Sequence, residues 1–128
     1  GEMRRVLPSR VPREDAVANL GRVAIGVAGM ATGRRDVLRL LTEDRLHEPY
    51  RAAVYPQLPR LVADARAAGA LGACLSGAGS AIIAFTDTVS GVARIEAAFR
   101  AAAADTDLPG RVEVVAPRNA GAKVIAER

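Results

Sequence analysis

From residue 14 to residue 31, apolar side chains recur at three- and four-residue steps: Ala16, Val17, Leu20, Val23, Ala24, Val27, Ala28 and Ala31. That period predicts an amphipathic helix. Glu14 and Asp15 suit its first turn, where the helix dipole favours negative charge, and Gly33 suits its C-cap. Gly21, Gly26 and Gly29 interrupt it at about 1 kcal/mol each against Ala, which predicts close packing by a neighbouring element. A second stripe, Val37, Leu38, Leu40 and Leu41, predicts a helix over 36–46. Residues 47–56 carry two prolines and read as a loop or broken helix holding His47, Glu48, Tyr50, Arg51 and Tyr55. Pro56 fits the first turn of a third helix, with Leu58, Leu61, Val62 and Ala65 as its face and Gly69 as its stop.

Residues 71–85 then change pattern. Leu71, Ala73 and Leu75 lead into a small polar turn, and Ile82, Ile83 and Phe85 follow it. Short apolar runs punctuated by glycine predict a hairpin of two buried strands. Residues 90–104 predict a fourth helix with Val92, Ile95 and Phe99 inward. Alternation over 112–116 and again over 122–127, across a Pro117–Gly121 turn, predicts two more strands. Residues 1–13 read as an extended lead-in because Pro8 and Pro12 restrict themselves and their predecessors. The order, three helices, two strands, a helix and two strands, predicts an α+β domain. Its expected form is a two-layer, ferredoxin-like antiparallel sheet with additional helices.

With 128 residues, half of them apolar, the chain fits a single domain with its own core, 1–128. The net charge of +4 raises the question of nucleic acid. However, the arginines are scattered among acids with no block of like charge, which argues against that partner. Cys74 is the single cysteine, so no disulfide framework or cysteine metal cluster is available. Within an apolar strand it reads as a small buried hydrophobe. No leader or membrane span is visible, which points to a cytoplasmic protein without a membrane partner.

The candidate chemistry sits in the turn Ser76-Gly77-Ala78-Gly79-Ser80. Gly77 and Gly79 accept positive φ freely. Backbone alternating in that way aims successive N–H groups into one concavity suited to an anion such as phosphate. The turn lacks the Gly-Lys-Ser/Thr of a Walker loop and the third glycine of a dinucleotide fingerprint. From the residues alone, a plain reversing turn is the simpler reading.

Leu75-Ser-Gly-Ala-Gly-Ser80 before an apolar strand resembles the third signature motif of the GHMP kinases, a superfamily of small-molecule kinases. Arg4-Arg-Val-Leu-Pro8, Val11-Pro-Arg-Glu-Asp-Ala-Val-Ala-Asn19 and Glu43-Asp-Arg-Leu-His-Glu-Pro-Tyr-Arg51 extend the resemblance over nearly the whole chain. They point to the branch that phosphorylates the hydroxyl of L-homoserine on the route to threonine. Only the carboxy-terminal half of such a kinase is matched. Where the family carries Pro and then Ser or Thr, this chain has Ser80 and Ala81, leaving Ser80 as the nearby hydroxyl.

The resemblance implies the same α+β fold and a set of roles. Ser76, Gly77, Ala78, Gly79 and Ser80 would form the phosphate loop. Arg4 and Arg51 would bind the substrate carboxylate, which suits a guanidinium fork. The alternatives are a frayed terminus for Arg4 and a surface ion pair with Glu48 for Arg51. ATP and Mg²⁺ would be bound mainly by an amino-terminal GHMP domain, the expected partner, and a homodimer is possible within this family. No catalytic residue or metal ligand falls in these 128 residues, so the chain alone is expected to be inactive. A competing reading is an ACT-like amino-acid sensor or a dimerising domain, in which the glycine turn is inert. A sensor would bind an amino acid tightly as this chain alone.

Overall fold

The computed structural model describes residues 1–125. Helices α1 (Glu2–Arg5) and α2 (Arg13–Ala31) lead into a 3-10 turn (Arg35–Val37) that continues as α3 (Leu38–Leu41). The single-turn helix α4 (Glu48–Arg51) and the longer α5 (Leu58–Ala67) precede strands β1 (Gly72–Leu75) and β2 (Ile82–Phe85). Helix α6 (Val89–Asp105) follows. The architecture is α+β, as expected.

The core lies where α5 packs on the hairpin and on α6. Helix α5 buries Leu58, Leu61, Val62 and Ala65, an i, i+3, i+4, i+7 face. Ala73 and Leu75 from β1, Ile95 and Ala102 from α6, and Tyr55 complete the cluster, with Phe99 packed against it. Small alanines at 65, 73 and 102 let the layers approach closely. The helix α5 begins at Leu58, two residues after the expected Pro56, with Pro59 in its first turn. Thr88 caps α6, its hydroxyl accepting the Gly91 N–H at 3.0 Å.

The strands are antiparallel, with Gly72 opposite Phe85 and Leu75 opposite Ile82. Among the described residues they are the whole sheet. The expected strands over 112–116 and 122–125 are absent, and Val114, Val115, Val124 and Ile125 stay exposed. Alternation produces a strand only where a sheet edge and a covering face meet it. Between Pro109-Gly110 and Pro117, this segment pairs with neither edge of the hairpin. Residues 126 and 127 of the last expected strand lie outside the described residues.

Two other expectations change. Residues 2–5 are not extended: Glu2, Met3, Arg4 and Arg5 favour helix, and the prolines act only further on. Nor does the second helix run to residue 46. After Leu41 the Asp44 carboxylate gathers the N–H groups of Leu46, His47 and Glu48. This local alternative to helical bonding redirects the chain.

Helix α2 packs on α3 and the 3-10 turn through its least apolar side. A Cβ at Gly26 would collide with the Leu41 side chain, and one at Gly29 with Val37. Gly26 and Gly29 thus permit the close approach that their sequence positions implied, whereas Gly21 has open space around it. Asn19 and Arg22 share this side, bonded to Asp44 and Glu43.

Candidate functional site

A cleft of about 140 Å³ opens between the α3–α4 segment and the end of β1. Asp44, His47, Glu48, Arg51, Cys74 and Gly77 are on its wall. The site is built from the loop before α4 upward.

Asp44 is the hub. Its Oδ2 accepts the N–H groups of His47 and Glu48, each at 2.6 Å. Its Oδ1 accepts Asn19 Nδ2 at 2.7 Å and the Leu46 N–H at 3.2 Å, and lies 3.1 Å from His47 Nδ1. Burial alone would raise this carboxyl, but the bonds from Glu48, Asn19 and His47 outweigh it and hold it at about 2. Asp44 therefore starts α4 and ties it to α2.

Helix α4 presents Glu48 and Arg51, three residues apart, on one side. Glu48 Oε1 accepts the Leu75 N–H at 2.5 Å. Burial raises the Glu48 carboxyl, a shift that this bond opposes. Arg51 is only 8% exposed. Its Nη1 donates to the Gly77 carbonyl at 2.9 Å and its Nε to the Met3 carbonyl at 3.1 Å. The surface ion pair with Glu48, the simpler reading of Arg51, does not form among the described residues.

The glycine turn has the backbone its sequence called for. Gly77 and Gly79 have φ of +64° and +99°. The Ser76 N–H closes the hairpin on the Ala81 carbonyl at 2.8 Å, and the Gly79 N–H reaches the Ser76 carbonyl at 3.4 Å. The N–H groups of Gly77, Ala78 and Ser80 have no partner among the described residues. The Met3 side chain lies where a Gly79 side chain would project.

The structure thus brings Arg51 and the turn Ser76–Ser80 together. Arg4 sits on the short α1, one residue beyond the Met3 carbonyl that Arg51 holds, with an exposed side chain. Sequence reasoning did not give Asp44, Glu48 or Met3 a place in this site. The readable signal was the Asp44-x-x-x-Glu48-x-x-Arg51 spacing, an acidic cap followed by two charges on one helical side.

Cys74 is half-buried; burial, and then the Glu48 charge, push its thiol up. That is the behaviour of a structural cysteine. The acids are engaged as well, since Asp44 uses both oxygens and Glu48 binds main chain. Among the described residues no three His, Cys, Asp or Glu side chains group to hold a metal.

The family described as GHMP kinases C terminal matches residues 30–105. The chain belongs to this family. Among its relatives, the homoserine kinase of Moorella thermoacetica is 42% identical over 95% of this chain and 40% of its own length. That of Persephonella marina is 46% identical over 66% of this chain and 28% of its own. The crystal structure of the homoserine kinase from Cytophaga hutchinsonii matches with a TM-score of 0.78 at 27% identity, over 83% of this chain and 34% of that one. The chain spans less than half the length of these relatives.

Proposed function

We propose that this chain is the substrate-binding, carboxy-terminal part of a homoserine kinase, which transfers the ATP γ-phosphate to the hydroxyl of L-homoserine, a step toward threonine. The observation that carries the reading is the joining of Arg51 to the glycine turn through the Gly77 carbonyl. It sets a cation beside three unpartnered N–H groups, an arrangement suited to the carboxylate and phosphate of the two substrates. Nη2 of Arg51, which has no partner among the described residues, is the nitrogen left to meet the homoserine carboxylate, with Arg4 supplying a second guanidinium. The Gly77, Ala78 and Ser80 N–H groups meet the phosphate. Phosphoryl transfer is largely positioning and electrostatics, which such groups supply without covalent chemistry.

The donor set does not fit Mg²⁺, so the metal and most of ATP belong to an amino-terminal GHMP domain, and the chain alone is inactive. Helix α2 supports that partner. Ala16, Leu20, Val23, Val27 and Met30 follow one another at 4-3-4-3 steps along one side. Leu20 is 71% exposed, and Val23, Val27 and Met30 are exposed as well. A lone surface helix turns such a stripe inward. Here the glycines and polar groups face inward, and a contiguous exposed apolar face marks a docking surface. The additional length of the relatives supplies the occupant. Among the described residues no helix is long and apolar enough to cross a membrane, and a cytoplasmic location accords with the proposed reaction.

The test is ADP release with ATP, Mg²⁺ and L-homoserine, using the whole kinase, this chain alone and two variants. The whole enzyme turns over and the chain alone does not. Arg51→Ala raises the homoserine KM more than the ATP KM, by about 2–5 kcal/mol in kcat/KM, and Arg51→Lys recovers only part. Gly79→Val, forced into a left-handed backbone and against Met3, loses roughly 3–4 kcal/mol of transition-state stabilisation per displaced N–H. An unchanged homoserine KM in Arg51→Ala removes the carboxylate role. Normal kcat per folded Gly79→Val molecule returns the loop to a plain turn.

A further inference from the structure

Leu75 lies opposite Ile82, while the next N–H along, that of Ser76, is bonded across the hairpin to Ala81. Backbone N–H groups alternate sides along an antiparallel strand. The Leu75 N–H therefore faces the open edge of β1, where Glu48 Oε1 takes it. Two residues on, the Gly77 carbonyl is taken by Arg51. One turn of helix thus grips the main chain on both sides of Ser76, with a carboxylate on the N–H and a guanidinium on the carbonyl.

That grip sets more than position. The Gly77–Ala78 peptide is trans; the cis bond lies further on, at Gly79–Ser80. In a planar trans peptide the C=O and the following N–H point in opposite directions. Holding the Gly77 carbonyl toward Arg51 therefore turns the Ala78 N–H away from α4 and leaves it available to a ligand. Because Gly77 tolerates many backbone conformations, the turn needs an external hold to keep one of them. Asp44 anchors that hold by fixing the first N–H groups of α4 and bonding to Asn19 on α2.

We propose that Glu48 and Asp44 are positioning residues of the phosphoryl-transfer site: with Arg51 they form a strut that fixes the Leu75–Gly77 backbone and thereby the direction of the Ala78 N–H. The catalytic consequence rests on the kinase reading; the strut itself does not.

The test compares Glu48→Ala with Glu48→Gln in the whole kinase. The glutamine keeps an acceptor oxygen for the Leu75 N–H, whereas alanine removes it. The expected result is a loss of about thirtyfold or more in kcat per folded molecule for Glu48→Ala, with the homoserine KM changed by less than about threefold. Glu48→Gln should return to within about fivefold of wild type, and Asp44→Asn should fall between the two. Hydrogen exchange of the 75–81 backbone should accelerate about tenfold or more in Glu48→Ala and little in Glu48→Gln. Equal kcat losses in the two Glu48 variants, or unchanged exchange at 75–81 in Glu48→Ala, overturn the strut. Unchanged kcat in Glu48→Ala with faster exchange removes its catalytic role. If the wild-type kinase itself does not phosphorylate homoserine, the functional reading fails, and the exchange comparison still decides whether the strut exists.

Discussion

The hairpin body and helix α2 are patterned alike and end up oppositely disposed. Both carry apolar residues at helical steps, yet Leu58 and Leu61 of α5 are buried on β1 and β2 while Leu20 and Val27 of α2 face outward. In α5 the stripe meets a sheet. In α2 the chain instead packs on Gly26, Gly29, Asn19 and Arg22, and the stripe is left over. Periodicity identifies which side of a helix is apolar; it does not say which neighbour covers it. In the proposed function this exposed stripe is the face that the amino-terminal domain covers.

The sharpest way to break this contrast is to cut both stripes. Leu58→Ala should cost about 2–5 kcal/mol in urea unfolding of this chain and of the whole kinase alike. Leu20→Asp should cost less than about 0.5 kcal/mol in this chain, but several times that in the whole kinase, where an unpaired charge would be buried. A Leu20→Asp penalty equal to that of Leu58→Ala in this chain would mean that its own residues cover the α2 stripe. A smaller effect probes the inward side. Gly29→Val forces a branched side chain into Val37 and should cost about 1–3 kcal/mol, whereas Gly21→Ala, with open space around it, should stabilise slightly through helix propensity. Thermal unfolding of the two variants checks that order.

The smallest effect concerns the tie between the two regions. Asp44 bonds to Asn19 and to α4, and its carboxyl sits at about 2 against an ordinary 3.8. A depressed carboxyl stabilises the fold fully above the unfolded value and loses that contribution as pH falls through the folded one. Asp44→Asn should therefore cost on the order of 1–2 kcal/mol at pH 6, with the gap to wild type closing between about pH 4 and pH 2. Glu48 beside it shifts the other way, and His47 touches the same carboxylate. Unfolding midpoints are therefore compared pairwise at each pH; a gap as large at pH 2 as at pH 6 excludes the charge of Asp44 as its source.

The body was legible because its signals are local and mutually supporting. The 58, 61, 62, 65 face, the glycine-punctuated hairpin and the 92, 95, 99 stripe each specify an element from adjacent residues. Three features depended on partners distant in sequence. The break after Leu41 comes from a carboxylate capturing N–H groups, which the stripe 37–41 does not announce. The tail alternation, Val112 to Ala116, pairs with neither edge of the hairpin, and alternation by itself does not bring a segment to an edge. Within the site, Arg51 and the turn were visible as motifs, but their union through Gly77 was not. Glu48 had read as a polar residue of the 47–56 loop and Asp44 as part of the 36–46 helix, because the groups they bind are main-chain atoms, which have no sequence signature.

The bond from Arg51 to Met3 carries a consequence for the order of folding. It spans 48 residues, and the bond to Gly77 spans 26. The hairpin, by contrast, closes between Leu75 and Ile82. Closing long loops costs entropy before any contact is gained, so such contacts tend to form late. The hairpin with α5 and α6 can assemble while the lead-in segment is still free. The guanidinium then joins two stretches already made, and in the proposed strut that last contact sets the orientation of the glycine turn. On this order of events, substitutions at Arg51 should speed unfolding while leaving the folding rate nearly unchanged.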